Sequence, residues 1–383
     1  MTRRRVLLLE PWYGGSHRAW ADGLVAASGH DIELCTHPAV AWRWRLRGGA
    51  VTMAELVEAS VAARGRPDVV IASGMLDLAR LAGLTRRSLT DVPLALYLHE
   101  NQLAFPAQAA NAPTDDQAFT TWTSMAAADA VWCNSAHHRA VIATALDDRL
   151  QRVPDLAHDH LAAGVLARTG VLAVGVDTAD LVAAPRSTSA DRGAAPLVVW
   201  NQRWDHDKDP GRFLGILVRL AEAGVAFDVA LAGENRRTDP REVTEAIERL
   251  GRRVVHVGHL DRAGYVELLL AADVVVSVAR HEFFGIAAVE AMAAGAVPLL
   301  PARLSYPELI PAHLADAVLY RSGLHDRLRT VLEDLDGARQ RVAGLRQAML
   351  AHDWSVVAPR YDTAIEALTA GGRPDPPRPV QIP

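Results

Sequence analysis

The chain has 383 residues, 50% of them hydrophobic and 22% charged, with a formal net charge of −5. That length suits two cores better than one, since domains run roughly 100–200 residues. The acidic balance argues against a generic polyanion binder, whose binding face is strongly basic, while leaving room for a local basic patch.

Short apolar runs alternate with helical periodicity along the whole chain, the pattern of parallel α/β units. The run Val6–Glu10 reads as a first strand, because it is too short for the apolar region of a signal peptide and lacks a cleavage site. Arg3–Arg5 before it reads as a frayed terminus or an extension of a basic surface. Further strands are expected at Ile32–Cys35, Asp68–Ala72, Pro93–His99, Ala130–Asn134 and Val171–Val174, with helices such as Arg18–Ser28 and Ala54–Arg64 between them. The polar, small-residue stretch Ala183–Ala195 has the composition of a linker. A second series follows, with strands at Leu197–Trp200, Asp228–Ala232, Val254–Val257, Asp273–Val278 and Val297–Leu300. Its helices are Pro210–Ala223, Glu242–Leu250, Ala263–Ala271, Ile286–Ala294, Leu324–Glu333 and Gly337–Ala351, and a last helix covers Ser355–Thr369. The expected organisation is α/β: a Rossmann-like domain over 1–182, a linker over 183–195 and a second Rossmann-like domain over 196–352. A helix over 353–370, able to pack back on the first domain, and a disordered proline-rich tail over 371–383 complete it. Ligands of doubly wound sheets bind at the carboxyl ends of strands, so a central cleft between the two domains is the expected active site. Cys35 and Cys133 each fall in a strand run and read as buried, reduced thiols of a cytoplasmic protein; no apolar stretch is long enough to span a bilayer.

The most informative segment is Arg280-His-Glu-Phe-Phe-Gly-Ile-Ala-Ala-Val-Glu290, a strand end, a loop and the start of a helix. The first-turn N–H groups of such a helix suit a phosphate. Glu282 in the loop can accept hydrogen bonds from sugar hydroxyls, and Glu290 on the helix from the two hydroxyls of a ribose. Taken alone, two glutamates eight residues apart are a common surface pattern; the Phe-Phe-Gly turn between them favours binding. Directly after the second domain's first strand comes Asn201-Gln-Arg-Trp-Asp-His-Asp-Lys-Asp-Pro210, where Arg203 and Lys208 together can neutralise a diphosphate. Lys208 is the only lysine among 40 Lys and Arg residues. The competing reading is a solvated charged turn. Asp205, His206, Asp207 and Asp209 crowd the same loop; they read as groups orienting Arg203 and Lys208, because metal ligation there would compete with those ion pairs.

These stretches resemble the retaining GT-B glycosyltransferases of family 4, in which an Arg…Lys pair holds the donor diphosphate and a Glu-x7-Glu motif holds hexose and ribose. Leu231-Ala-Gly-Glu234, Val257-Gly-His259 and the run after Ala271 fit the same pattern, while His281-Glu-Phe-Phe-Gly departs from the commoner aromatic-Glu-Gly-Phe-Gly. In the first half, Glu10-Pro-Trp-Tyr-Gly-Gly-Ser-His17 follows the first strand, and its glycines permit close approach of backbone to a diphosphate. His99-Glu-Asn-Gln102 ends the fourth strand, placing His99 where it touches the hexose or leaving group, unless it is a satisfied strand-end histidine. With Trp42-Arg-Trp-Arg45 these motifs are similar to one subgroup, the tRNA-queuosine α-mannosyltransferases.

The resemblance implies transfer of mannose from GDP-mannose to queuosine in a tRNA anticodon with retention of configuration, independent of metal and of any cofactor beyond the nucleotide sugar. Catalysis would rest on His99, Arg203, Lys208 and Glu282. The donor would meet Gly14, Gly15, Arg203, Lys208, Glu282, Phe283, Phe284, Gly285, Ile286 and Glu290. The acceptor would meet Ser16, His17, Trp42, Arg43, Trp44, Arg45, Glu100 and Asn101. For Trp42–Arg47, read as a loop, the tryptophans offer stacking faces to unpaired bases and the arginines meet phosphates; an amphipathic strand fits the same alternation. Rival readings are a related glycosyltransferase with a small-molecule or lipid acceptor, a non-catalytic tRNA- or nucleotide-binding module, and a nucleotide-sugar epimerase.

Overall fold

The computed structural model describes residues 2–104, 115–155, 158–233 and 241–371. Contacts divide the chain into two compact units, one reaching Gly175 and resuming at Trp354, the other Val176–Asp353. The stretch 183–195, expected to link domains, therefore lies inside the second unit, where Ser189–Arg192 forms a short helix capped by the Thr188 hydroxyl. Glu234 and the tail beyond residue 371 lie outside the described residues.

The first unit holds a six-stranded sheet of β1 (Arg5–Tyr13), β2 (Asp31–Pro38), β3 (Val69–Ser73), β4 (Leu94–Leu98), β5 (Ala130–Cys133) and β6 (Thr169–Val171). Its order is β2-β1-β3-β4-β5-β6, with every pairing parallel. β3, β4 and β5 are buried along their whole length because helices cover both faces, which is why they read as continuous apolar runs. Cys35 and Cys133 are free and buried, and burial pushes their thiols up to about 11 and about 12. Helix Trp354–Thr369 closes this unit. Its Tyr361 hydroxyl accepts from Trp20 Nε1 at 3.1 Å and donates to the Ala173 carbonyl at 3.0 Å, while Asp362 accepts from Gly29 N at 2.9 Å. Trp354 fits only because its neighbours lack side chains: a Cβ on Gly23 would lie 2.1 Å, and one on Gly175 2.2 Å, from its ring.

The second unit holds β7 (Leu197–Trp200), β8 (Asp228–Leu231), β9 (Val254–Val257), β10 (Val274–Val276), β11 (Val297–Pro301) and β12 (Leu319–Tyr320) in the order β12-β11-β10-β7-β8-β9, again all parallel. β12, two residues long, carries too little pattern to be read from sequence. The helix expected over Gly337–Ala351 is broken into Leu335–Arg341, Leu345–Ala348 and a 3₁₀ turn Met349–His352, because Gly344 takes a left-handed φ of 88°.

Each sheet has one place where strand order reverses, between β1 and β3 in the first unit and between β10 and β7 in the second. Chains leave such adjacent strands in opposite directions and open a crevice at their carboxyl ends. The motifs at Glu10–His17, Asn201–Pro210 and Arg280–Glu290 follow β1, β7 and β10, while His99 follows β4.

Candidate functional site

In the second unit the loops after β7 and β10 are knitted together. Arg280 N donates to the Asp207 carbonyl at 2.8 Å, and Lys208 Nζ donates to the His281 carbonyl at 2.9 Å. Beneath them, Gln202 Nε2 donates to Ser277 Oγ (3.2 Å) and to the Tyr306 hydroxyl (3.3 Å), fixing the ends of both strands. Lys208 is buried, and its ammonium lies 3.0 Å from Glu282 Oε2 and 3.2 Å from Asp207 Oδ2. Burial opposes its charge, but Glu282 and Asp207 outweigh that and hold its pKa above the ordinary lysine value. Both carboxyls stay below the usual carboxylate range: burial works against them, and the Lys208 charge prevails.

This arrangement uses all three protons of the Lys208 ammonium, on Glu282, Asp207 and the His281 carbonyl. A phosphate oxygen reaches Lys208 only by replacing one of them. Arg203 is half-exposed, its guanidinium 3.2 Å from Asp205, and is the more accessible cation. Asp209 pairs with Arg280 at 2.8 Å. Glu282 Oε1 accepts from Phe283 N (3.1 Å) and Phe284 N (3.3 Å), so these loop N–H groups are capped by the glutamate itself. Both phenylalanine side chains are buried, Gly285 takes a φ of 105° to start helix Ile286–Ala294, and Ile286 is half-buried. One turn along, the Glu290 carboxylate meets Arg262 (2.6 Å) and the Tyr265 hydroxyl (2.9 Å).

In the first unit, Gly14 and Gly15 lead from β1 into helix Gly15–Ala27, with φ 53° at Gly15, and a Cβ on Gly14 would lie 2.6 Å from Ala39. Ser16 is exposed; His17 is buried. The sequence reading did not single out Glu10, yet it organises this end of the sheet. Fully buried, it accepts from Trp12 N (2.8 Å) and Ser73 Oγ (2.9 Å) on one oxygen and faces His17 Nδ1 (3.1 Å) with the other. The only hint in sequence is an acidic residue at the end of an apolar strand. His99 sits after β4 with its side chain only 8% exposed, among the rings of His17 (4.1 Å between centroids), Trp20 (4.7 Å) and Tyr97 (4.8 Å). Burial, then the neighbouring His17 and His138, drive its pKa well below the ordinary histidine value, so it is neutral. Its Nε2 is buried 3.9 Å from Glu10 and has no hydrogen-bond partner among the described residues. Donor atoms of Glu10, His17 and His99 lie within 4.8 Å of one another, close enough for the three side chains to share one ion.

On the acceptor side, one expectation is corrected, the conformation of Trp42–Arg47, and Asn101 proves to be buried. Asn101 is 1% exposed, with its amide engaged by His138 Nε2 (3.0 Å) and Ala104 N (2.9 Å); it anchors the loop. Glu100 beside it is half-buried and accepts from Gln102 at 3.3 Å. Trp42–Arg47 forms neither a loop nor a strand but the first turns of helix Trp42–Arg64. Successive residues turn by about 100° in a helix, so Trp42 and Trp44 point to nearly opposite sides, while Arg43, Trp44 and Arg47 gather on one exposed face. Trp44 is 64% exposed, Arg43 lies over the Trp42 ring at 5.3 Å, and Arg45 is half-buried.

Two doubly wound parallel sheets, one in each unit, are the architecture of the GT-B fold. The solved structure of sucrose-phosphate synthase from Thermosynechococcus elongatus superposes with a TM-score of 0.72 at 17% identity, covering 97% of this chain and 100% of that one. Anabaena HepE, solved with UDP and glucose, superposes with a TM-score of 0.67 at 16% identity, covering 95% and 100%. Residues 5–176 match the family "tRNA-queuosine alpha-mannosyltransferase N-terminal", and residues 188–343 match "Glycosyl transferases group 1". The Drosophila melanogaster tRNA-queuosine alpha-mannosyltransferase is 34% identical over 313 residues, 80% of this chain and 81% of the relative. The chain belongs to the tRNA-queuosine alpha-mannosyltransferase family. Among the described residues no helix is long and apolar enough to cross a membrane.

Proposed function

We propose that this protein transfers mannose from GDP-mannose to a hydroxyl of queuosine in a tRNA anticodon, keeping the α configuration. The observation that carries the reading is the 34% identity to a relative of that activity over 313 residues, a stretch longer than either compact unit. On this reading the bond from the anomeric carbon to the diphosphate breaks as the acceptor oxygen bonds on the same face. The acceptor's proton passes to a departing phosphate oxygen, leaving GDP. Negative charge grows on the diphosphate, where Arg203, Lys208 and the N-terminus of helix Ile286–Ala294 stabilise it. Glu282 orients the hexose, with Phe283, Phe284, Gly285 and Ile286 shaping its loop, and Glu290 holds the ribose. Gly14 and Gly15 supply close backbone, His99 supports the hexose side, and Ser16, His17 and Glu100 serve the acceptor. Arg43, Trp44 and Arg47 meet the tRNA, with Trp42 and Arg45 supporting that face. A cytoplasmic location goes with this reading, supported by the two free, buried thiols.

The test is transfer of labelled mannose to tRNA with and without queuosine at the wobble position. Labelling of the queuosine form alone is expected. Equal labelling of both tRNAs, or of neither alongside rapid transfer to a small acceptor, would remove the queuosine assignment and leave a glycosyltransferase.

A further inference from the structure

Glu290 does not stand alone on its helix. Its Oε2 accepts from the Tyr265 hydroxyl at 2.9 Å, and that hydroxyl in turn accepts from Asn201 Nδ2 at 2.9 Å. Asn201 Nδ2 also donates to the Ala287 carbonyl at 2.7 Å, so the relay starts from the end of β7 and is tied to the helix that carries Glu290. Oε1 accepts from Arg262 at 2.6 Å. An ionised carboxylate offers about four lone-pair sites. With one donor on each oxygen among the described residues, Glu290 keeps one lone pair per oxygen, the number a vicinal diol needs. The carboxylate side chain is only 12% exposed, so its orientation is set by these partners rather than by solvent.

We propose that Tyr265 is a positioning residue which, held by Asn201, aims the Glu290 carboxylate at the two ribose hydroxyls of the nucleotide donor. The inference rests on the donor reading above. Burial and the Glu290 charge raise the Tyr265 hydroxyl well above the usual tyrosine value, which keeps it a donor throughout the neutral range. Tyr265→Phe keeps the ring and removes both hydrogen bonds of the hydroxyl, the one to Glu290 and the one from Asn201.

The experiment measures equilibrium binding of GDP and of 2′,3′-dideoxy-GDP to the full chain, as wild type and as Tyr265→Phe. Wild type should prefer GDP clearly. The variant should bind GDP about tenfold more weakly, as expected for a lost hydrogen bond to a charged group, yet bind the dideoxy ligand unchanged, so most of the preference disappears. Equal weakening of both ligands would mean a merely structural role and would overturn the inference, as would unchanged GDP binding. If Tyr265→Phe proves unstable, Asn201→Ala breaks the relay from its other end and is judged by the same two ligands. Wild type that binds no GDP overturns the donor reading and this inference with it; wild type that binds GDP without preferring it to the dideoxy form overturns the inference alone.

Discussion

Lys208, the only lysine of the chain, is buried with its ammonium 3.0 Å from Glu282 Oε2, so the residue proposed to meet the diphosphate also holds the carboxylate proposed to orient the hexose. Removing it leaves Asp207 and Glu282 facing each other without the ammonium that bridges them. Lys208→Ala should therefore lose turnover by orders of magnitude and also destabilise the fold by about 3–5 kcal/mol, the usual cost of orphaning a buried charge. Denaturant midpoints and single-turnover rates check both. Near-normal turnover would remove Lys208 from the donor site. The isosteric Glu282→Gln should lose turnover with a smaller stability change.

The same cluster predicts acid sensitivity. Glu282 and Asp207 have folded pKa values below their unfolded ones, so their contribution is full above the ordinary carboxylate range and is lost as pH falls through the folded values. His99 acts in the same direction at higher pH. Its folded pKa lies well below the unfolded value of about 6.5. The unfolded chain thus takes up a proton first, and stability should fall as pH drops below about 6.5, by at most about 1.4 kcal/mol per pH unit from this residue. Melting temperatures between pH 7.5 and 5 should show a slope that His99→Gln flattens. An unchanged slope would show that His99 titrates normally.

The exposed face of helix Trp42–Arg64 is the predicted tRNA contact. Trp44→Ala should weaken tRNA binding by about 1–3 kcal/mol, the value of a stacked base, while GDP binding stays unchanged. Arg43→Ala and Arg47→Ala should each reduce the salt dependence of tRNA affinity, as lost phosphate contacts do. Arg45→Ala should matter less, because that side chain is half-buried. Unaltered tRNA affinity in Trp44→Ala would move the interface elsewhere.

Turnover is expected to survive exhaustive chelation, since Arg203 and Lys208 offer fixed cations for the diphosphate. Loss of activity in EDTA, restored by a divalent ion, would overturn the metal-free mechanism. The cluster of Glu10, His17 and His99 makes this a pointed test. A drop in melting temperature on chelation, with activity retained, would instead assign those side chains a structural ion.

Much of the fold was legible because a parallel strand covered on both faces is a short apolar run, and a covered helix repeats every 3.6 residues. Val198 and Val274, or Leu217 and Phe213, report their burial through composition alone. The candidate donor motif stood out as two compact segments, Arg203 with Lys208 and Glu282 with Glu290, and the fold joins them through the Lys208–Glu282 pair. Pairings were not. Nothing local says that the Glu10 carboxylate meets His17 and Ser73, that Tyr265 bonds Glu290, or that Trp354 rests on Gly23 and Gly175. These contacts join separate segments and are decided when strands pack in a particular order. Trp42–Arg47 shows the remaining ambiguity. Six residues alternating a large apolar side chain with Arg fit a strand period, and only docking of Leu46, Ala50 and Met53 against the core selects the helix, and with it which side chains face solvent.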